Sequence, residues 1–218
     1  MLAAARLFVP GWGAGPELYG GGLPSGWVAL EPLTFRRGRG SFERYRRWLA
    51  DEVRAHGTAV VLGGHSMGAA LSVAVAAEIP EHVGGLLLIS PAGLSLTKPI
   101  RMSLADFSGQ VMHGKYPMRT ALLGIGSVLG APRSALELAR RVRALDLSAE
   151  MQRVKSQRIR TTVIGCVTDT LVSIRHCRET ARLLGAEYRE LNLPGGHMWM
   201  LKASGTLRLE LDRVAFAL

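Results

Sequence analysis

The sequence predicts an α/β fold in which a mostly parallel sheet carries helices on both faces. Short apolar runs rich in β-branched residues alternate with helical segments, as in repeated βαβ units. The chain has 218 residues, of which 48% are hydrophobic and 20% charged, a composition typical of a folded domain with one substantial core. We therefore expect a single α/β domain that carries one insertion.

The first part of the chain supplies strands and helices in alternating order. Apolar runs predict strands near Arg6–Val9, Trp27–Pro32, Val60–Leu62 and Gly85–Ser90, and a helix over about Ser41–His56. The loops between these segments are short, as parallel βαβ units require. These elements form the first part of the predicted sheet.

The pattern changes after Leu94, where helical periodicity continues to about Gln157. Apolar side chains recur there among polar ones at Met102, Phe107, Met112, Leu122, Leu136 and Leu138. We expect a core formed by residues 1–93 and 157–218, interrupted by a helical cap insertion over residues 94–156. Methionine and leucine suit a flexible apolar substrate, although packing between the cap helices explains at least half of these residues.

A serine stands between two glycines where a predicted strand meets a predicted helix. The motif Gly64-His65-Ser66-Met67-Gly68 is a G-x-S-x-G nucleophile elbow, in which a strained turn lifts the serine hydroxyl above the sheet edge. The glycines keep Cβ atoms out of a crowded turn. A helix beginning near Met67 would aim its first N–H groups at a developing oxyanion. The alternative is a serine that only caps the helix.

Two later segments supply an acid and a histidine. Asp169 follows the predicted buried strand Thr161–Val167, and His197 lies in a glycine-rich loop after the predicted last strand, Glu187–Leu193. The alternative for Asp169 is a cap of the helix predicted from about Ser173 to Leu184. The other histidines are His56, His65, His82, His113 and His176, and none follows the last strand. His65 belongs to the elbow, where we expect a structural role.

With these motifs the chain resembles the α/β-hydrolase family over nearly its full length. A further feature is the N-terminal loop Leu7–Gly15, which is similar to the oxyanion loop of the family and departs from it where Pro10 replaces a common histidine. The order Ser, Asp, His along the chain is also that of the family. We expect no counterpart of the family's initial antiparallel strands in this sequence, because the predicted oxyanion strand begins almost at Met1.

The resemblance implies a site and a mechanism. It implies a triad of Ser66, Asp169 and His197, with an oxyanion hole formed by the backbone N–H groups of Met67 and Trp12. It implies no cofactor and no metal. The cap would close over the serine, and Trp12, Met198, Trp199 and Met112 are the expected substrate-binding residues. The alternative for the two tryptophans and Met198 is packing in the core.

The expected activity is a serine hydrolase that cleaves small-molecule carboxylic esters with an apolar acyl group, or thioesters, through an acyl-enzyme. Two alternatives stay open at this point. One is a non-enzymatic small-molecule receptor on the same fold, and the other is an acyltransferase acting on carrier-bound acyl groups. A carboxylate nucleophile, which dehalogenation and epoxide hydrolysis need, is not present at the elbow.

The chain is basic, with 27 lysines and arginines against 17 acidic residues and a net charge of +10. Arginines cluster in one segment at Arg36, Arg37, Arg39, Arg44, Arg46 and Arg47, and in the cap at Arg133, Arg140, Arg141, Arg143 and Arg153, with Lys155. Solvated helix faces explain most such clusters. The alternative partner is an anionic acyl carrier, such as coenzyme A or an acidic carrier protein. Nucleic acid is disfavoured, because the chain shows no recognised binding motif and no aromatic stacking platform.

Membrane and disulfide signals are weak. No apolar run reaches the roughly eighteen residues that a membrane span needs, and the apolar start is too short for a signal peptide, so we expect a cytoplasmic protein without a transmembrane segment. Cys166 and Cys177 fall on a predicted strand and helix, and we expect neither to form a disulfide or a metal cluster.

Overall fold

The sheet contains six strands in the part of the chain that the computed structural model describes, residues 4–96 and 126–216. The strands are β1 (Arg6–Val9), β2 (Trp27–Ala29), β3 (Val60–His65), β4 (Val83–Ile89), β5 (Arg160–Cys166) and β6 (Glu187–Leu191). Their order is β2-β1-β3-β4-β5-β6, and all neighbouring pairs run parallel. The predicted α/β fold with a mostly parallel sheet is confirmed.

Helices cover both faces of this sheet. They are α1 (Phe35–Gly38), α2 (Phe42–Ala55), α3 (Met67–Glu78), α4 (Pro132–Arg143), α5 (Ser148–Ser156), α6 (Ile174–Leu184) and α7 (Ser204–Phe216). Short 3-10 helices occur at Pro16–Leu18, Pro80–His82 and Gly196–Leu201. None of the helices in the described ranges is long and apolar enough to cross a membrane.

The strand side chains alternate between two apolar cores. Along β1, Leu7 and Val9 belong to the first core and Phe8 to the second, and β3 and β4 alternate in the same way. The first core also receives side chains from α2, α3, α5 and α6, whereas the second receives Leu207 and Leu211 of α7. Successive strand residues point to opposite faces of the sheet. A strand whose residues are all apolar therefore needs helices or loops packed on both faces of the sheet.

Helix α3 lies closest to the centre of the sheet. Every residue from Met67 to Ala77 is buried, and most of them are glycine, alanine or serine. Small side chains let the helix axis approach β3 closely, so the turn between β3 and α3 is held firmly in the core. This turn contains Ser66.

The described part of the predicted insertion contains α4 and α5. Helix α4 contacts α1 and α2, and α5 packs between α3 and α6, where Met151 and Val154 are buried in the first core. Leu138 of α4 is also buried there and Leu136 is half-buried. Met102, Phe107, Met112 and Leu122 lie outside the described residues. The division into a core and a cap of residues 94–156 stays a prediction.

Some strand ends differ from those that the sequence predicts. Strand β2 ends at Ala29 rather than at Pro32: the Leu30 N–H still donates to the Phe8 carbonyl at 2.9 Å, but Pro32 has no N–H to extend the ladder. Strand β6 ends at Leu191, two residues before the predicted end. The bounds of α2 match the predicted helix to one residue at each end.

Gly68 marks a very close approach between α3 and the end of β1. A Cβ at this position would lie 2.6 Å from the Pro10 carbonyl oxygen and closer still to that of Val9, and both obstacles are backbone atoms. Alanine gains about 1 kcal/mol of helix propensity over glycine, but a backbone clash in the core costs more. We expect Gly68→Ala to lower the free energy of unfolding by about 3 kcal/mol or more, as measured by urea denaturation.

The matched control is Gly21→Ala, because a Cβ at Gly21 would meet no atom within 4 Å. We expect this variant to change the free energy of unfolding by less than about 1 kcal/mol. Equal stabilities of the two variants would contradict the close approach at Gly68.

Candidate active site

Ser66 occupies a strained turn between β3 and α3. Its backbone angles are φ 55° and ψ −115°, a conformation that residues other than glycine rarely adopt and that costs on the order of 1–3 kcal/mol. Backbone hydrogen bonds hold it in place: the Ser66 N–H donates to Ile89 at 2.9 Å, and the Ser66 carbonyl accepts from Ala92 at 3.1 Å. The surrounding strands therefore fix the strained conformation.

The glycines beside Ser66 are needed for this turn. A Cβ at Gly64 would lie 2.7 Å from backbone atoms of Gly68 and Ala69. Any side chain there would push α3 away from β3. The spacing of the motif thus has a steric cause, since both glycines lie where strand and helix backbones approach each other.

The loop after β1 lies directly against the elbow. A Cβ at Gly11 would lie 3.0 Å from His65 Nδ1 and 3.5 Å from Ser66 Cβ. The next residue, Trp12, is half-buried; its ring lies 5.2 Å from that of Phe35, and its indole N–H donates to the Ala135 carbonyl of α4 at 3.1 Å. The loop is therefore held between the elbow on one side and α4 on the other.

Asp169 and His197 form a buried pair at the same edge of the sheet. The distance between Asp169 Oδ2 and His197 Nδ1 is 2.8 Å, and the exposed fractions of their side chains are 0% and 3%. Asp169 Oδ1 accepts the backbone N–H groups of Leu171 and Val172, each at 2.9 Å. Since the strands are parallel, their carboxyl ends gather Ser66, Asp169 and His197 at one edge.

Asp169 does not cap the helix α6, which was the alternative role for this residue. The cap of α6 is Ser173, whose hydroxyl accepts the His176 N–H at 3.4 Å. The carboxylate of Asp169 instead orders the turn before the helix and holds the ring of His197.

Asp169 is held as a carboxylate. Burial raises the pKa of its carboxyl, but the charge and hydrogen bond of His197 and the backbone N–H of Val172 lower it, and the net pKa lies below the usual range. A carboxylate can only accept hydrogen bonds, so the facing nitrogen, His197 Nδ1, carries a proton. In the neutral ring Nε2 is then the basic nitrogen.

The loop that carries His197 is fixed by glycines and by Thr168. Gly195 and Gly196 have φ values of 117° and 59°, which favour glycine. The Gly196 N–H donates to Thr168 Oγ1 at 3.2 Å, and that hydroxyl donates to the Leu193 carbonyl at 2.6 Å. Thr168 thus connects the loop after β5 with the loop after β6. The sequence reasoning missed this residue, whose one signal is its place beside Asp169.

His65 is buried beside His197, with 4.6 Å between the ring centroids. Its Nδ1 is hydrogen-bonded to the hydroxyl of Tyr19 at 2.8 Å and its Nε2 to the His197 carbonyl at 3.1 Å. Burial, together with the neighbouring His197, lowers the pKa of His65 from 6.5 to about 3. The ring is therefore neutral at physiological pH.

The low pKa of His65 makes stability depend on pH. Below pH 6.5 the unfolded chain takes up a proton at His65 that the folded protein does not, so the free energy of unfolding falls as the pH is lowered toward the folded pKa of about 3. Between pH 6.5 and pH 5 this single group accounts for a loss of about 2 kcal/mol. Urea denaturation at both pH values should show a smaller loss for His65→Gln than for the wild type. Equal losses would mean that His65 titrates normally in the folded protein.

Two of the other residues predicted to bind substrate are tightly packed in the protein. Trp199 is completely buried and Met198 is 5% exposed, both in the second core with Phe8 and Tyr19. This is the packing of core side chains. Met112 lies outside the described residues, and the role of these residues in binding substrate stays a prediction.

Within the described residues, no three His, Cys, Asp or Glu side chains are grouped so that they could hold a metal ion. Cys166 and Cys177 are both buried free thiols, and burial raises the pKa of the Cys177 thiol. A thiolate nucleophile at Cys177 is therefore disfavoured at neutral pH.

Comparison with solved structures gives many similar folds. A lipase-type protein from Acinetobacter baumannii has a TM-score of 0.74 at 15% identity, over 98% of this chain and 84% of that one. The N-acyl homoserine lactone degrading enzyme Est816 has a TM-score of 0.74 at 16% identity, over 96% and 92%. A bacterial membrane phospholipase A has a TM-score of 0.74 at 19% identity, over 97% and 79%. At these identities the likeness concerns the fold.

Comparison of sequences gives the family. No curated protein matches the chain significantly. The sequence profile of the alpha/beta hydrolase family matches residues 7–208, which include the elbow, the Asp169–His197 pair and the loop after β1. The chain belongs to the alpha/beta hydrolase family.

Proposed function

We propose that this protein is a serine hydrolase that cleaves carboxylic esters through an acyl-enzyme, with thioesters as substrates of the same chemistry. The observation that carries the proposal is the buried Asp169–His197 pair, joined at 2.8 Å, at the sheet edge where Ser66 occupies its strained turn. A serine hydroxyl is a weak nucleophile unless a base removes its proton. The Asp169–His197 pair supports His197 as this base, with the carboxylate orienting its ring.

In the first half of the reaction, Ser66 Oγ attacks the ester carbonyl carbon while His197 Nε2 takes the hydroxyl proton. The tetrahedral intermediate then loses the alcohol as the C–O bond breaks, and His197 returns the proton to the leaving oxygen. In the second half, water attacks the acyl-enzyme with the same base, and the carboxylic acid and free Ser66 are formed. No cofactor enters either half.

Asp169 fixes the histidine in the tautomer that this cycle needs. The carboxylate accepts from Nδ1, so Nε2 is left as the base, and its negative charge stabilises the imidazolium that forms. The two backbone N–H groups on Oδ1 stop the carboxylate from rotating.

The oxyanion is assigned to the backbone N–H groups of Met67 and Trp12. Met67 is the first residue of α3, whose N-terminus favours negative charge. A Cβ added at Gly11 would lie 3.5 Å from Ser66 Cβ, so the loop that carries Trp12 runs beside the elbow, which supports the second donor. Removing one donor of this kind typically costs about a hundredfold or more in rate.

For the substrate we propose a small-molecule ester with an apolar acyl group. Support comes from Trp12, which is half-buried and packs at a tilted angle against Phe35, next to the elbow. An anionic acyl carrier is less favoured as a partner of α4, because Arg141 pairs with Glu137 at 2.7 Å and Arg143 donates to the Leu96 carbonyl at 3.2 Å, so both arginines already make interactions within the chain.

A panel of p-nitrophenyl esters from acetate to palmitate tests this proposal. We expect hydrolysis with an optimum at one acyl length, because an apolar pocket of fixed size adds binding energy per methylene only until it is full. A thioester series measured beside it should show the same optimum. Folded protein that hydrolyses no member of either series would contradict the proposal and favour a receptor that only binds.

A further inference from the structure

A network of three buried hydrogen bonds connects the loop after β1 with the loop after β6. The Gly11 N–H donates to the Tyr19 hydroxyl oxygen at 3.2 Å. That hydroxyl is 2.8 Å from His65 Nδ1, and His65 Nε2 is 3.1 Å from the carbonyl oxygen of His197. Tyr19 and His65 are each 1% exposed, so water does not compete for these bonds.

Each hydrogen bond in this network has a fixed donor and acceptor. The His197 carbonyl can only accept, so His65 Nε2 carries the proton. The neutral His65 ring then offers Nδ1 as an acceptor, and Tyr19 donates its O–H to it. The oxygen of Tyr19 keeps a lone pair for the Gly11 N–H. Burial also raises the pKa of Tyr19, so its hydroxyl keeps the proton that it donates.

The hydrogen-bond network ends in two loops, at Gly11 and at His197, and the distance between these loops matters for the proposed reaction. Gly11 precedes Trp12, the assigned oxyanion donor, and His197 is the assigned base, while His65 immediately precedes the nucleophile. Pro10, on the other side of Gly11, has no N–H and no polar side chain with which to anchor the loop. The side chain that anchors this loop at the Gly11 N–H is therefore Tyr19, through its hydroxyl oxygen.

We propose that Tyr19 and His65 are positioning residues, which set the distance between the oxyanion loop and the His197 loop on either side of Ser66. This inference rests on the proposed function. Tyr19 acts through the backbone N–H of Gly11. His65 acts through the backbone carbonyl of His197, beside whose ring it also packs. A displacement of about 1 Å in such groups can cost up to about 100-fold in rate.

The variant that tests Tyr19 is Tyr19→Phe. It keeps the ring, which packs 4.8 Å from Phe8, and removes only the hydroxyl that joins Gly11 to His65. We expect kcat for a p-nitrophenyl ester to fall by about 10- to 100-fold while KM changes by less than about threefold, because the network contacts the machinery and not the substrate.

Tyr45→Phe is the matched control. Tyr45 is also 1% exposed, but it lies in the first core on α2, and its hydroxyl has no hydrogen-bond partner in the described structure. Its removal should leave kcat and KM unchanged. If Tyr45→Phe lowers kcat as much as Tyr19→Phe does, the loss reflects general packing and the proposal is overturned.

At His65 the comparison is between His65→Gln and His65→Leu. Glutamine keeps an N–H that can reach the His197 carbonyl, whereas leucine keeps only the volume. We expect His65→Gln to retain several-fold more kcat than His65→Leu. Equal losses would contradict a role for the hydrogen bond.

Hydrogen exchange separates this inference from the proposed function, because it needs no activity. We expect Tyr19→Phe to accelerate amide exchange in both loops, at residues 11–14 and 195–198, and Tyr45→Phe to change neither. Accelerated exchange in a protein that hydrolyses no ester would keep the coupling and reject the hydrolase. Wild-type exchange in both loops together with wild-type kcat in Tyr19→Phe would overturn the positioning role.

Discussion

Replacing Ser66 with alanine is expected to lower kcat for ester hydrolysis by about 10⁴-fold or more, because no acyl-enzyme can form without the Oγ atom. Any remaining activity would come from the oxyanion donors and from binding alone. The change removes one oxygen from a residue that is held by its backbone, through the hydrogen bonds to Ile89 and Ala92. The fold should therefore survive. The measurement is kcat and KM on the best p-nitrophenyl ester, with circular dichroism to check folding.

Ser72→Ala is the control for this prediction. Ser72 lies on α3, the helix that follows Ser66, and is fully buried, and its hydroxyl donates to the Gly68 carbonyl at 2.9 Å, away from the proposed reaction. This variant should lose about 1 kcal/mol of stability and keep its kcat. Retained hydrolysis in Ser66→Ala would mean that another group is the nucleophile.

Replacing Asp169 with asparagine is expected to lower kcat by about 10⁴-fold. The amide oxygen can still accept from Leu171 and Val172, so the turn is preserved. Its NH₂ group must then face His197 Nδ1, which forces the histidine proton onto Nε2 and leaves no base beside Ser66. Rates measured between pH 6 and pH 9 would show the loss across the whole range.

Asp146→Asn is the matched control, because Asp146 also accepts a backbone N–H at the start of a helix, from Ser148 at 3.0 Å, but lies exposed at the surface. We expect wild-type kcat for it. If Asp169→Asn retained more than about a tenth of wild-type kcat, the carboxylate would not be setting the histidine tautomer.

Most of the sheet could be predicted from the sequence, because buried parallel strands are short apolar runs with few alternatives. Strands β3, β4 and β5 are of this kind, and Gly, Ser or Asp residues mark their ends. Strand β2 was predicted too long, since its last ladder hydrogen bond is that of Leu30 and the predicted end, Pro32, has no N–H to donate.

The local geometry of the elbow could be predicted for a similar reason. A G-x-S-x-G turn is defined by steric demands within five residues, and the structure reproduces them at Gly64 and Gly68. The hydrogen bond of Tyr19 to His65 could not be predicted, because the two residues lie 46 positions apart and Tyr19 is in a stretch without a motif. Thr168 was missed for the same reason, since its partners Leu193 and Gly196 come together only in three dimensions.

Apolar residues near the site were the hardest to interpret from the sequence. A tryptophan that lines a pocket and one that fills a core have the same pattern, and only burial separates them. Trp12 is half-buried at the loop and tied to α4, whereas Trp199 is completely buried. Their different surroundings depend on the packing of α4 and α7, which no local pattern encodes.

Labelling with a fluorophosphonate tests the central claim most directly. The reagent phosphonylates a serine only where a base activates it and an oxyanion hole stabilises the product. We predict one adduct per chain in the intact mass, mapped to Ser66, with none in Ser66→Ala and greatly slowed labelling in Asp169→Asn. A folded wild-type protein that takes up no label, or takes it up on another residue, would contradict the assignment of Ser66 as the nucleophile.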